Sequence, residues 1–348
     1  MAHTLKIISE RSYSDTARRE PLAEFFGHIL KSFGKNVTVA NLNYDTLVLS
    51  VLAESFSDIL CDMADGRYDG GSVRVGGIQY PTWPLRRSEA DFMPFERRRL
   101  RLLHLHGSLT YWRFGADDHR KLKVDAVRSA IWETYRNENT FTGSPLVVLA
   151  NQHEKADYVR RYPYNVAYTV AESGFKEADH WLIVGYSFRD DCVNDLLSQC
   201  WETQKNPPKI LVATHGDNLK PEMVEDAFGW KRGSAASNHL TIGRSGAFGL
   251  ATSAEWNNFT STAEIVRPRS QVFRRDRGHS TRAQTFRSSP TLVLRPLVST
   301  AASECTATQC KSAIRIAEAT ARHPQLRRQC LLPHSYDVWH GGWSAHRL

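Results

Sequence analysis

The chain has no apolar run near the ~18 residues that a membrane-spanning helix needs, and its first thirty residues carry acids and bases throughout, without the apolar stretch of a secretory signal. The compartment expected on that reading is the cytoplasm, with no membrane partner. Cysteine is scarce, with six in 348 residues: Cys61, Cys192, Cys200, Cys305, Cys310 and Cys330. None forms a Cys-x-x-Cys pair, so the spacings fit neither a zinc ribbon nor a compact disulfide framework. Reduced thiols and no bound metal are expected. Lysine is nearly missing from the last third. From Arg232 onward there are fifteen Arg and one Lys against six acids, which leaves residues 1–231 at −2 of the formal net charge of +8. The basic balance therefore belongs to the C-terminal region and says little about what precedes it.

The first 230 residues alternate helical and strand patterns. Leu22, Phe25, Phe26, Ile29, Leu30 and Phe33 recur at helical spacing before Gly34. Val37–Ala40 reads as a buried strand, Leu47–Leu60 as a helix, and the Gly-, Pro- and Arg-rich 66–88 as a loop or insertion. Strands are expected near 36–40, 101–105, 145–150, 181–185 and 209–213, adjacent and mostly parallel. Polar helix is expected over 120–140, with further helices over 155–178 and 191–201. Short apolar strands between helices predict an α/β fold, a parallel sheet with helices on both faces. Beyond Trp230 apolar periodicity fades, except in Thr291–Val298 and 311–322. Gly243, Gly246 and Gly249 follow no convincing strand and read as loop. Residues 232–348 are expected to be an Arg/Ser/Thr/Ala-rich, weakly structured or disordered region dispensable to residues 1–231; the abrupt Arg-for-Lys bias also fits a stretch read out of frame.

Polar groups concentrate where three of these strands end, which is where open parallel sheets bind ligands. Asn41-Leu42-Asn43-Tyr44-Asp45 follows the first strand: Asn43 could bond a ribose hydroxyl or a water, and Asp45 could orient a neighbour. Capping of the next helix is the bland alternative. Leu105-His106-Gly107-Ser108 follows the second. His104 and His106 alternate along a strand and so share a face, and His106 beside glycine suits a general base, or else a structural hydrogen bond. Gly185-Tyr186-Ser187-Phe188-Arg189-Asp190, with Asn194, follows the third. Gly185 admits a close ligand, Ser187 can bond phosphate or ribose, and the helix starting near Asp191 offers unpaired N–H groups. An ordinary capped strand–turn–helix would read the same way.

Taken in order, these motifs resemble the sirtuin-like, or silent-information-regulator-two-like, family of bacterial NAD-consuming proteins, distant relatives of the sirtuin deacylases. The resemblance covers about residues 22 to 230. It implies a Rossmann-like NAD-binding domain over 1–231 and cleavage of the nicotinamide–ribose bond of NAD, the substrate, in a setting such as anti-phage defence. On that pattern Asn43 and His106 are the catalytic residues. Asn43, Asp45, Gly185, Ser187, Asp190 and Asn194 hold the nucleotide, and there is no metal. A homo-oligomer stays open, and nucleic acid has no part in this reading. The chain departs from the family in three ways. No strand followed by a Gly-Ala-Gly-type phosphate loop lies between Met1 and Gly34, so the domain is expected to be N-terminally incomplete. Asn41 stands where the family has Thr. The paired-Cys zinc module of the deacylases is missing, which argues against deacetylation. The missing loop supports two alternatives from other classes: a catalytically inactive nucleotide-binding remnant, or a protein that binds nucleic acid through its Arg-rich tail.

Overall fold

The structure is a computed structural model that describes residues 2–33, 36–64, 66–94, 97–128, 131–136, 142–149, 152–261 and 290–294. Two helices come first, α1 (Ala2–Ser14) and α2 (Arg19–Phe33). The apolar residues of α2 named above are all buried on one face. Then follow β1 (Val37–Asn41), α3 (Leu47–Ser55), β2 (Leu60–Cys61), β3 (Ser72–Val75), β4 (Ile78–Pro84), β5 (Leu100–His104), β6 (Gly107–Arg113), β7 (His119–Leu122), α4 (Val124–Arg128), α5 (Ile131–Arg136) and β8 (Ser144–Val147). The second half runs α6 (Gln152–Val159), α7 (Tyr164–Glu177), β9 (His180–Val184), α8 (Asp191–Thr203), β10 (Lys209–Ala213), α9 (Pro221–Ala227), β11 (Leu240–Gly243), α10 (Gly246–Leu250), α11 (Ala254–Thr260) and β12 (Pro290–Leu294).

Seven strands form a parallel sheet in the order β11-β10-β9-β12-β1-β5-β2. Successive residues of each strand face opposite sides, and the core divides accordingly. Ala40, Leu103, Trp181, Ile183, Ile210 and Val212 pack against α7 and α8 through Val170, Phe175 and Leu197. Val39, Leu102, Leu182, Val184, Leu211 and Ala213 pack on the other side against Phe26, Ile29 and Leu52 of α2 and α3, and against Leu250 and Trp256. The fold is therefore the expected α/β one, a Rossmann-like parallel sheet with helices on both faces. A second, antiparallel sheet, β3-β4-β7-β6-β8, has its own core of Val73, Leu109, Trp112, Leu122 and Trp132, joined by Leu5 of α1.

Several expectations need correction. The 66–88 segment, expected as a loop or insertion, carries a hairpin over 72–84. Its Gly76-Gly77 pair, at φ 55° and 82°, is the tight turn of the β3–β4 hairpin, with Val75 opposite Ile78. Two positive-φ residues are what a primed two-residue turn requires. Of the strand expected over 145–150, residues 145–147 lie in β8, which pairs antiparallel with β6 outside the parallel sheet. So short an apolar run carries no sign of which sheet receives it. Residues 119–122 are strand, so among the described residues α4 and α5 are what remains of the polar helix expected over 120–140. The helix expected over 47–60 stops at Ser55, and Leu60 begins β2. Gly243 closes a strand, β11, while Gly246 and Gly249 lie in α10; the N–H of Gly246 donates to the Thr214 carbonyl at 2.9 Å, so it cradles no ligand. Gly34, Ala150, residues 137–140, 295–298 and 311–322, and Cys305, Cys310 and Cys330 lie outside the described residues.

The region expected to be irregular contributes regular elements: β11, α10 and α11 cover one end of the parallel sheet, and β12 lies inside it. Val39 pairs with Leu292, and Leu292 with Leu182. Leu292 is 1% exposed in the core shared with α2 and α3. Leu292→Ala should lower stability by roughly 2–5 kcal/mol, and Leu292→Asp by more, because a lone buried carboxylate has no partner there. Thermal unfolding of both variants checks this; melting unchanged from wild type would show that the sheet does not depend on β12.

Candidate active site

The strand ends lie level along the carboxyl edge of the parallel sheet. Asn41 is opposite His104 on one side and Leu294 on the other; Leu294 is opposite Val184, and Val184 opposite Ala213. The three motif loops therefore leave from one edge. After β1, the fully buried Asn41 accepts the N–H of Asn43 on Oδ1 at 3.1 Å, an Asx turn that reverses the chain. Asn43 Nδ2 donates to Asp45 Oδ2 at 2.9 Å, and Asp45 Oδ1 accepts the Leu47 N–H at 2.9 Å. Asp45 thus satisfies an orphan donor in the first turn of α3, the capping role weighed above, while orienting Asn43. Burial raises the Asp45 carboxyl above its ordinary range, opposed by the Leu47 N–H and the Asn43 amide. Asn41 Nδ2 is buried with no hydrogen-bond partner among the described residues.

β5 ends at His104, and Leu105-His106 turn into β6. Gly107 makes the turn at φ 81°, where an added Cβ would stand 1.9 Å from the Leu146 carbonyl oxygen, so only glycine fits. Because the strand stops between the two histidines, they do not share a face as partners of one ligand. His104 is buried with Nδ1 at 3.2 Å from the Tyr111 hydroxyl. Burial lowers its pKa to about 4, with Asp62 opposing and Lys121 assisting. His106 turns to the motif loops: Nδ1 is 3.0 Å from the Leu42 carbonyl oxygen, and Nε2 is 3.2 Å from Asp190 Oδ2. That last pair is at ion-pair distance, yet Nε2 makes no aligned hydrogen bond. Ser108 is buried and bonded to Thr110 Oγ1 at 3.0 Å, a structural role.

After β9, Gly185 continues at φ 66° with its N–H on the Ala213 carbonyl. Partly buried Ser187 follows on the same loop. Phe188 sits at φ 54°, a left-handed conformation that costs a bulky L-residue about 1–2 kcal/mol. Asn194 holds it there, donating from Nδ2 to the Phe188 carbonyl at 3.1 Å, with its Oδ1 2.8 Å from the Tyr186 hydroxyl. Asn194 is thus a clamp on the loop. Asp190 caps α8, accepting the Val193 N–H, and its Oδ2 meets both His106 and Lys155 Nζ. Burial pushes this carboxyl upward, but His106 and Lys155 outweigh burial and hold it well below the ordinary carboxylate range. Sequence reasoning missed Lys155, a lone lysine on the weakly patterned α6. It also missed Tyr168 of α7, whose hydroxyl is buried without a hydrogen-bond partner among the described residues and whose pKa is raised by burial and then by Asp190.

A family profile described as the SIR2-like domain matches residues 37–232, more than half of the chain. The chain belongs to the SIR2-like domain family. That family uses NAD. The matched segment opens on the first residue of β1 and contains all three motif loops, whereas α1, α2 and β12 fall outside it. A comparison with curated protein sequences finds no match. Among the described residues of this SIR2-like chain, no helix is long and apolar enough to cross a membrane, and no group of three or more His, Cys, Asp or Glu is placed to hold a metal.

The buried His104 gives the domain a measurable pH dependence. Its folded-state pKa lies near 4 against 6.5 for an ordinary histidine. Between those values the unfolded chain binds a proton that the folded chain refuses, so stability rises with pH across that window. The full effect is on the order of 3 kcal/mol. Denaturant unfolding from pH 7 down to pH 4 should show the loss, and His104→Gln should flatten it. A variant as pH-sensitive as wild type would assign the loss to another group.

Proposed function

We propose that this SIR2-like domain binds NAD along the carboxyl edge of the parallel sheet and hydrolyses the nicotinamide–ribose bond. The observation that carries the reading is the setting of His106. Nδ1 faces the Leu42 carbonyl, an acceptor only, so Nε2, the buried nitrogen without an aligned bond, is the one assigned to proton transfer. In the reaction the C1′–N bond breaks with its electron pair passing to the pyridinium nitrogen, which leaves as neutral nicotinamide. Water attacks C1′ and gives up a proton, which Nε2 is placed to accept. The resulting imidazolium stands 3.2 Å from an Asp190 carboxylate already held ionised. Lys155 keeps that carboxylate in place. Asn43, oriented by Asp45, is assigned to a ribose hydroxyl or the attacking water, and Gly185 and Ser187 to the nucleotide. Asn41 Nδ2, an orphan donor at the same edge, fits a ligand oxygen. An oxocarbenium-like transition state needs chiefly positioning and charge stabilisation. Anti-phage defence is the cellular role that the motif resemblance attaches to this chemistry.

Nicotinamide release from NAD tests the proposal. His106→Ala and Asn43→Ala should each lower turnover by roughly 10²-fold or more with the fold retained, and Lys155→Ala should lower it by less. Release that survives both His106→Ala and Asn43→Ala would place the chemistry elsewhere. One observation favours a second reading: the Gly-rich turn after β11 spends its Gly246 N–H on the Thr214 carbonyl and not on a ligand. If wild type binds NAD by calorimetry and releases no nicotinamide, the domain is a nucleotide-binding module.

A further inference from the structure

A cavity of about 730 Å³ opens beside the edge strand β2, between α3 and the antiparallel sheet. That volume falls in the range of small-molecule sites, roughly 300–1,000 Å³. None of His106, Asp190, Lys155 or the motif-loop residues lines it. We propose that this cavity is a separate binding site for a nucleotide, with phosphate held by its cationic wall and the base against Trp83.

Charge argues for an anion. Among the described residues, Arg67, Arg86, Arg98, Lys121 and Lys123 line the cavity against two acids, Asp62 and Asp91. Both acids are already engaged by the protein. Asp62 pairs with Lys121 and accepts the Ala64 N–H at 3.0 Å. Asp91 Oδ2 accepts the N–H groups of Arg87 at 2.9 Å and Ser88 at 2.8 Å. The surplus is positive, inside walls of low polarisability that focus its field. Arg86 is set rigidly: 5% exposed, it donates from Nε to the Asp62 carbonyl at 2.9 Å and from Nη1 to the Asp91 carbonyl, with its guanidinium 4.9 Å above the Phe92 ring. A guanidinium fixed by main-chain oxygens meets an anion without further loss of side-chain freedom.

Aromatic rings argue for a base. Trp83 forms part of the wall, half-buried, and Tyr68 stands 6.4 Å from it with 59% of its surface exposed. An indole face beside a cluster of cations offers the two contacts a nucleotide uses, stacking for the base and charge-assisted hydrogen bonds for the phosphates. A simple inorganic anion would use only the second.

Calorimetry on the full chain with ADP, adenosine and inorganic phosphate is the test. ADP should bind at least about tenfold more tightly than either fragment, since both contacts contribute. Lys123 is exposed, so Lys123→Glu leaves the fold intact and should weaken ADP by about tenfold or more. Trp83→Leu, checked by circular dichroism, should weaken ADP and leave phosphate unchanged, while Ser187→Ala should leave the Lys123-dependent part of ADP binding unchanged. ADP binding that ignores Lys123→Glu, or is lost with Ser187→Ala instead, would overturn the proposal, as would no binding at millimolar ADP. Nicotinamide release is measured apart from this, so failure of either site is seen independently.

Discussion

A buried carboxylate must be neutralised where it stands, and Asp190 is neutralised by partners from two other parts of the chain. Lys155 comes from the helix before α7, and His106 from the turn between β5 and β6. The same side chain caps α8 and follows the left-handed Phe188. One group therefore fixes the start of a helix, the course of the loop after β9 and the placement of the histidine beside β1. Removing Lys155 would leave a charge in a medium that tolerates it poorly. His106 ties the first motif loop, through the Leu42 carbonyl, to Asp190 in the third.

Four strands of the parallel sheet, β1, β5, β9 and β10, were legible because they are buried and read as apolar runs, Val37–Ala40 and Trp181–Val184 among them. The motif residues stood out because polar groups directly after such runs need partners or ligands. Their individual roles were less legible. Asp45 and Asn194 carry the chemistry of ligand-binding residues, yet their hydrogen bonds run to a helix N–H and to a loop carbonyl. Only the course of the chain decides between those uses. Lys155 gave no signal, since a lysine on a polar helix is ordinary until the fold brings a carboxylate to it. The hairpin at 72–84 was missed for a different reason: its glycines and prolines were weighed as breakers, although Gly-Gly between two short alternating runs is itself a hairpin signal.

The two cavity-facing acids and the three motif loops show one economy of charge in two settings. At the carboxyl edge a single carboxylate gathers a lysine and a histidine, and draws two of the motif loops together. Beside β2 the acids are absorbed by one lysine and by main-chain N–H groups, so the remaining cations face the cavity. The histidine between the two regions, His104, stays neutral because it is buried, and it keeps Tyr111 bonded at the floor of the antiparallel sheet.

The position of β12 sets an order on synthesis. Val39, among the first residues of the sheet to leave the ribosome, has Leu292 as its neighbour. Until that late segment emerges, β1 and β9 face each other across a gap with main-chain donors and acceptors unmatched on both sides. Contacts so distant in sequence close slowly, and open strand edges in a waiting chain invite pairing with other chains. Closure of this sheet thus waits for β12, and until then the facing edges of β1 and β9 stay open to other chains.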